Sequence, residues 1–323
     1  MEQIRQRVIY GVRQSRTFRV VATRFLNEAT KATIREDARN LKYLDPIIGD
    51  LPLEGVHMGS LQPFIEKRRK QGVENRTINY GLQTVRHILN LAASEWFDEQ
   101  VRPRLDRAPK IKLLKEYDRK PPYPLSWEEQ TRLFNALPSY LAKLALFKVN
   151  TGCRDQDVCN LRWEWEVPVP EMDTSVFIIP AEQVKNRQDR VVVLNRIARA
   201  VVQEMRGVHP VYVFSYRGKP LRAMLTSAWK RARVRVRLPD VRVHDLKHTF
   251  GRRLRAAGVS FEDRRDLFGH KSGRVTTHYS MPELENLIEA ANRVCQPGGH
   301  KMATLVVLKR KTAELVVTNS AVS

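Results

Sequence analysis

The sequence predicts a mainly α protein with a small β-sheet, divided into an all-helical part and a mixed α+β part, and three observations carry that reading. Apolar residues recur at helical spacing through most of residues 17–99. A stretch rich in proline and charge, residues 101–124, then breaks the periodicity. Beyond it, two β-type runs, Ser175 to Ile179 and Arg190 to Leu194, stand among further helical segments. A chain of 323 residues also exceeds the size of about 250–300 residues at which a single core stops growing, so two domains are expected.

In chain order, residues 1–16 bear arginines without the continuous apolar centre of a signal peptide, and read as a short basic arm. From Thr17 the pattern is helical: Phe18, Val21 and Phe25, then Ile34, Ala38 and Leu41. Later, Ile78, Leu82, Val85, Leu89, Ala92 and Trp96 step alternately by four and three, the mark of one long helix with a single buried stripe. Turn signals at Gly49-Asp50 and Gly72 divide residues 17–100 into about four helices. Residues 101–124 read as a linker that lets two domains close around a duplex.

The second domain, residues 125–296, opens on Ser126 and Glu129, which fit a capping box. Helical stretches near 126–136 and 140–150 lead into Thr151-Gly152-Cys153-Arg154, with Asp157 three residues on, where a carboxylate can hold the Arg154 guanidinium. The two β-type runs read as a hairpin whose polar connection contains Lys185 and Arg187. A helix near 196–205, a short strand from Tyr212 to Ser215 and a basic helix from Leu221 to Arg235 follow. Val243 to Met281 then reads as two or three short helices with turns at Gly258 and Gly269. His244, Lys247 and His248 share one helical face there. Ser280 and Glu283 can cap a last helix reaching about Asn292, which sets Tyr279 at a helix N-terminus whose positive end favours phenolate and phosphate alike. In the tail, residues 297–323, two short β-branched runs suit a hairpin, a strand added to another sheet edge, or a loosely ordered terminus.

Composition narrows the partner. The chain has 57 Lys and Arg against 35 Asp and Glu, a net charge of +22, spread along its length. A long polyanion such as DNA suits that spread better than a small acidic ligand. Lys67, Arg68, Arg69, Lys70 and Arg76 in the first domain, and Arg231, Arg233 and Arg252 in the second, are the candidate DNA contacts, although each cluster alone is equally a solvated face. Three cysteines without a Cys-x-x-Cys pair suggest neither a disulfide framework nor a zinc site, which fits reducing cytoplasm. No apolar run approaches a membrane span.

The boxes Thr-Gly-Cys-Arg with Asp157, His244-Asp245-Leu246-Lys247, Phe268-Gly269-His270 and then Tyr279 resemble, in order and spacing, those of the tyrosine recombinases, or phage integrases. Residues 17–100 resemble the helical (SAM-like) core-binding domain of the same family, which makes the second domain its mixed α+β catalytic domain. The resemblance implies that Tyr279 attacks a scissile phosphate, that Arg154, His244, Lys247 and His270 surround it, and that Lys185 protonates the leaving oxygen, Arg187 competing for that assignment. It implies no cofactor and no metal. It further implies double-stranded DNA bearing core recombination sites, a homotetramer on that DNA, optional DNA-bending or directionality factors, and action at the bacterial nucleoid. Because the helical domain begins so near residue 1, core sites alone are expected to suffice.

One position departs from the pattern. The family has Arg where this chain has Lys247, and exchanging a planar fork for a point charge costs on the order of 1.5–3 kcal/mol of phosphate binding. That exchange keeps a second reading open, a DNA-bridging protein on the same fold that does not cut. A type IB topoisomerase, sharing the phosphotyrosine chemistry, is the third.

Overall fold

The computed structural model describes residues 16–98, 101–117, 120–184, 186–269 and 281–295. The expectations for the basic arm, for the Ser280 cap and for the tail from residue 297 lie outside the described residues. The chain forms two compact units, one ending at Lys120 and the other beginning at Pro121.

The first unit contains helices α1 (Phe18–Glu28), α2 (Ile34–Ile48), α3 (Gln62–Lys70) and α4 (Asn75–Ser94). The stripe on α4 is why it packs: Ile78, Leu82, Val85, Leu89 and Ala92 are all buried against Phe18, Val21 and Phe25 of α1 and Leu41, Leu44 and Ile48 of α2. Each such large aliphatic side chain contributes about 1.5–3 kcal/mol of burial. One carboxylate enters this interior. Asp37 accepts from the Thr84 hydroxyl at 2.9 Å, and Lys31 Nζ lies 2.5 Å from its other oxygen.

The expected linker is much shorter than residues 101–124. Leu105 and Ile111 are buried in the core of the first unit. Leu105 N–H bonds the Ala92 carbonyl at 2.9 Å, and the Asn79 amide brackets Leu114, accepting from its N–H at 2.8 Å and donating to its carbonyl at 2.9 Å. Isolated apolar residues in extended backbone have no period to reveal them. On the other side, Tyr123 and Leu125 donate their N–H groups to Asp245 Oδ1 and Thr249 Oγ1, so they belong to the second unit.

The second unit begins with α5 (Trp127–Ala136), closed by the expected capping box of Ser126 and Glu129. Helices α6 (Ser139–Thr151) and α7 (Asp155–Cys159) follow. The two β-type runs form the expected antiparallel pair, Thr174–Ile179 (β2) with Arg190–Val193 (β3), Ile179 facing Arg190. A further edge strand, Glu166–Val169 (β1), pairs with β2; Pro168 and a leading glutamate hide it from pattern reading, and an edge is where a strand tolerates proline.

After α8 (Arg196–Met205), a two-stranded ribbon joins Ser215–Tyr216 (β4) to Lys219–Pro220 (β5), later than the expected strand; Tyr212 makes only a single bridge, to Arg162. The basic helix α9 spans Ser227–Arg235, not Leu221 onward, because Thr226 caps it by accepting from the Trp229 N–H at 3.4 Å. Helices α10 (Asp245–Ala256), α11 (Phe261–Leu267) and α12 (Met281–Asn292) complete the unit. Its larger core lies among α5–α9, and a second apolar cluster joins the sheet to α10–α12. Among the described residues no helix is long and apolar enough to cross a membrane.

Candidate active site

Helix α6 ends at Thr151, Gly152 turns the chain in the left-handed region, and Arg154 becomes the N-cap residue of α7. Asp157 closes that turn: its Oδ2 accepts the Arg154 backbone N–H at 3.1 Å. The same oxygen takes Nη1 of Arg190, at the start of β3, at 2.8 Å, with the two side chains only 3% and 1% exposed. The expectation that Asp157 grips the Arg154 guanidinium is therefore corrected. A carboxylate already committed to a buried arginine holds the Arg154 backbone, and the half-buried Arg154 keeps Nη1 without a hydrogen-bond partner.

The second wall comes from the first turn of α10. Asp245 is buried and receives the Arg242 and Tyr123 N–H groups and the Arg242 guanidinium. Burial pushes its carboxyl up, but the bonds from Arg242 and Tyr123 outweigh burial and hold it below the usual carboxylate range. This fixes the start of the helix, and with it His244, Lys247 and His248. The exposed His244 ring meets the His248 ring edge-on at 4.8 Å. Burial, and then the neighbouring His248 and lysine charges, lower the proton affinity of His244; burial does the same for His248.

Lys247 turns inward. Its amine sits 4.7 Å from the centre of the Phe268 ring and has no hydrogen-bond partner. Burial, followed by the positive charges of Arg190 and Arg154, pulls its pKa down to about 7. Lys148, on the last turn of α6, is completely buried with an unpartnered amine, and burial lowers its pKa too. Among the described residues here, then, Lys148 Nζ, Arg154 Nη1, Arg190 Nε and Lys247 Nζ have no protein acceptor. A buried donor left unmade costs about 1–3 kcal/mol, more for a charged group, so this half of the site is built to receive an anion.

Lys185, His270 and Tyr279 lie outside the described residues. Their neighbours meet: the Asn186 side-chain amide donates to the Gly269 carbonyl at 3.4 Å, joining the loop after Lys185 to the turn before His270. Among the described residues no group of His, Cys, Asp or Glu comes together as metal ligands. Sequence reasoning missed Arg190 and Lys148. The signal for Arg190 was an arginine opening the otherwise apolar run Val191 to Val193; Lys148, inside a helical pattern, gave none.

The candidate DNA contacts divide. Lys67, Arg69, Lys70, Arg76 and Arg231 are exposed, while Arg68 and Arg252 are half-buried. Arg68 stacks on Tyr43 at 4.2 Å and bonds Gln71 at 2.6 Å, and Arg76 Nε donates to the Tyr80 hydroxyl at 3.1 Å. Arg233 is half-buried and donates to the Val241 carbonyl at 3.0 Å, which makes it a tie between α9 and the following loop.

Three comparisons accompany this geometry. The profile of the phage integrase family matches residues 125–306. The integrase of Salmonella phage P22 is 26% identical over 291 residues, 85% of this chain and 69% of that protein. Tyrosine recombinase XerA of Thermococcus kodakarensis is 24% identical over 241 residues, 71% of this chain and 79% of that one. Among solved structures, a lambda integrase tetramer bound to a Holliday junction superposes with a TM-score of 0.61 at 16% identity, covering 87% of this chain and 84% of that one.

Proposed function

The chain belongs to the phage integrase family and is a tyrosine site-specific recombinase, and from that premise we propose that it breaks and rejoins duplex DNA through a 3′-phosphotyrosyl bond formed by Tyr279, without metal or ATP. The observation that carries this reading is the pair of cationic nitrogens, Arg154 Nη1 and Lys247 Nζ, that have no acceptor of their own. A phosphodiester oxygen in its transition state supplies what they lack.

In the proposed step Tyr279 gives up its phenolic proton to solvent as its oxygen attacks phosphorus, one P–O bond forms, and the bond to the 5′-oxygen breaks. Arg154 and Lys247, with His244 and His270, take the charge on the non-bridging oxygens, and Lys185 gives the leaving oxygen its proton. The covalent bond conserves the energy of the phosphodiester, so a 5′-hydroxyl from a second duplex can attack it and release the tyrosine. Such an exchange needs two duplexes and two pairs of protomers. We therefore place the chain on core recombination sites as a homotetramer, with the exposed cations Lys67, Arg69, Lys70, Arg76 and Arg231 on the phosphate backbone, and with accessory bending or directionality factors as further partners.

The test is to trap covalent protein–DNA adducts in cells expressing the wild type or Tyr279→Phe and to sequence the attached DNA. Adducts that cluster at one sequence and vanish in the variant are the expected result. Adducts scattered over the genome would overturn site specificity in favour of a topoisomerase. DNA binding without adducts from either protein would overturn cleavage itself and leave the DNA-bridging reading, which the lysine at position 247 favours.

A further inference from the structure

We propose that Arg190 is a positioning residue of this site, one buried guanidinium that holds the Arg154 loop, the Gly269 turn and the Lys247 amine in a single arrangement. The proposal rests on the recombinase reading for its consequence in cleavage and on geometry for everything else. At 1% exposure Arg190 is out of reach of bulk DNA, so it acts through its neighbours.

Three contacts define the arrangement. Nη1 pairs with the Asp157 oxygen that also receives the Arg154 N–H, so the ion pair sets the backbone on which Arg154 stands. Nη2 reaches toward the Gly152 carbonyl at 3.4 Å, on the far side of the same loop. The aliphatic stem forms the floor under Gly269: a Cβ there would meet Arg190 Cγ at 3.1 Å and Cδ at 3.3 Å, and the residue has a φ of +57°. Gly269 immediately precedes His270, and its carbonyl takes the bond from Asn186, the residue after Lys185. The Arg154 loop and the Gly269 turn therefore meet on one side chain, and the loop after Lys185 joins them through the Gly269 carbonyl.

The fourth consequence is electrostatic. Lys247 faces Arg190 from β3, Arg154, Cys153 and Asp157 from the α7 segment, and His244 and His248 on its own helix. After burial, Arg190 is the largest influence on its amine. Because Asp157 anchors Arg190, the positive charge beside Lys247 is fixed, and the lysine binds its proton tightly only when a phosphate arrives to balance it.

The experiment uses the full chain with 13C-labelled lysine and reads the titration of Lys247 Cε, identified by its loss in Lys247→Met, in the wild type and in Arg190→Gln, which removes the cation and leaves Asp157 in place. The wild-type midpoint is expected near 7, and in Arg190→Gln it is expected to rise, because a neighbouring positive charge is gone and the Asp157 carboxylate is no longer paired with it. An unmoved midpoint overturns the proposal. Gly269→Ala, which pushes on the Arg190 stem from the other side, provides a second measurement should Arg190→Gln fail to fold. Cleavage by this variant at the sequenced site is expected to fall about tenfold with DNA affinity intact, and wild-type cleavage would overturn the proposal. If the wild type forms no adduct, the recombinase reading has failed, and the lysine titration still decides the placement of Arg190.

Discussion

The two units treat buried charge in opposite ways. In the helical unit Asp37 is met by the Thr84 hydroxyl and by Lys31, and Asn79 uses its amide on the Leu114 backbone. In the catalytic unit Arg190 and Lys148 are fully buried and Lys247 nearly so, Asp157 pairs with Arg190 alone, and nitrogen atoms on all three cations remain without acceptors. A folded domain gains nothing in stability from such atoms. Among the described residues, buried cationic nitrogens without acceptors occur in the catalytic unit, on Arg233 and Arg253 as well as around Arg154 and Lys247, and not in the helical one.

The strongest way to break this comparison is to remove the carboxylate in each unit. Asp157→Ala leaves Arg190 as an uncompensated buried charge and releases the Arg154 loop, and is expected to cost about 3–5 kcal/mol. Asp37→Ala removes a pair whose lysine is 40% exposed, and is expected to cost about 1 kcal/mol. Urea denaturation of the full chain, followed with a probe in each unit, measures both. Equal losses would show that the two carboxylates do the same job.

A smaller effect of opposite sign is expected at Lys148. Its amine is buried without a partner, so Lys148→Met should stabilise the catalytic unit by about 1–3 kcal/mol. The pH dependence identifies the cause. Burial makes the folded state release this proton at a lower pH than the unfolded chain, whose lysine holds it to about 10.4. Between those two values the unfolded state binds more protons, so wild-type stability rises with pH there. The gain from Lys148→Met should accordingly be largest at and below the folded pKa and shrink toward pH 10. A gain independent of pH would assign it to packing alone.

What the sequence made legible follows from how local each signal is. The Ile78 to Trp96 stripe, the Ser126 capping box and the pairing of β2 with β3 all rest on residues within one or two turns or strands of each other. The boxes around Arg154, His244 and Lys247 were likewise read from short local spacings. Arg190 was invisible because its meaning lies in Asp157, 33 positions earlier, and in a turn near residue 269. The linker was overdrawn because Leu105 and Ile111 are buried one at a time. Lys148 sits at a helical position where an apolar residue would serve, and only the surrounding fold reveals that its amine has nowhere to go.

The smallest effect tests whether the contrast is confined to charge. Helices α3 and α10 end in the same way, with Gly72 and Gly258 both at φ +70° and open space where a Cβ would stand. In each, the glycine N–H bonds back to an arginine carbonyl, Arg69 or Arg255, and the next residue, Val73 or Val259, bonds to Arg68 or Leu254. This is one helix stop written twice. An alanine must adopt the left-handed conformation in both places, so Gly72→Ala and Gly258→Ala should each cost about 1 kcal/mol. Matching losses would show that the units share the same backbone energetics and differ only in the charges they bury. A loss confined to Gly258→Ala would instead mean that the catalytic unit is strained throughout, and the unpartnered cations would be one symptom of that strain and not its purpose.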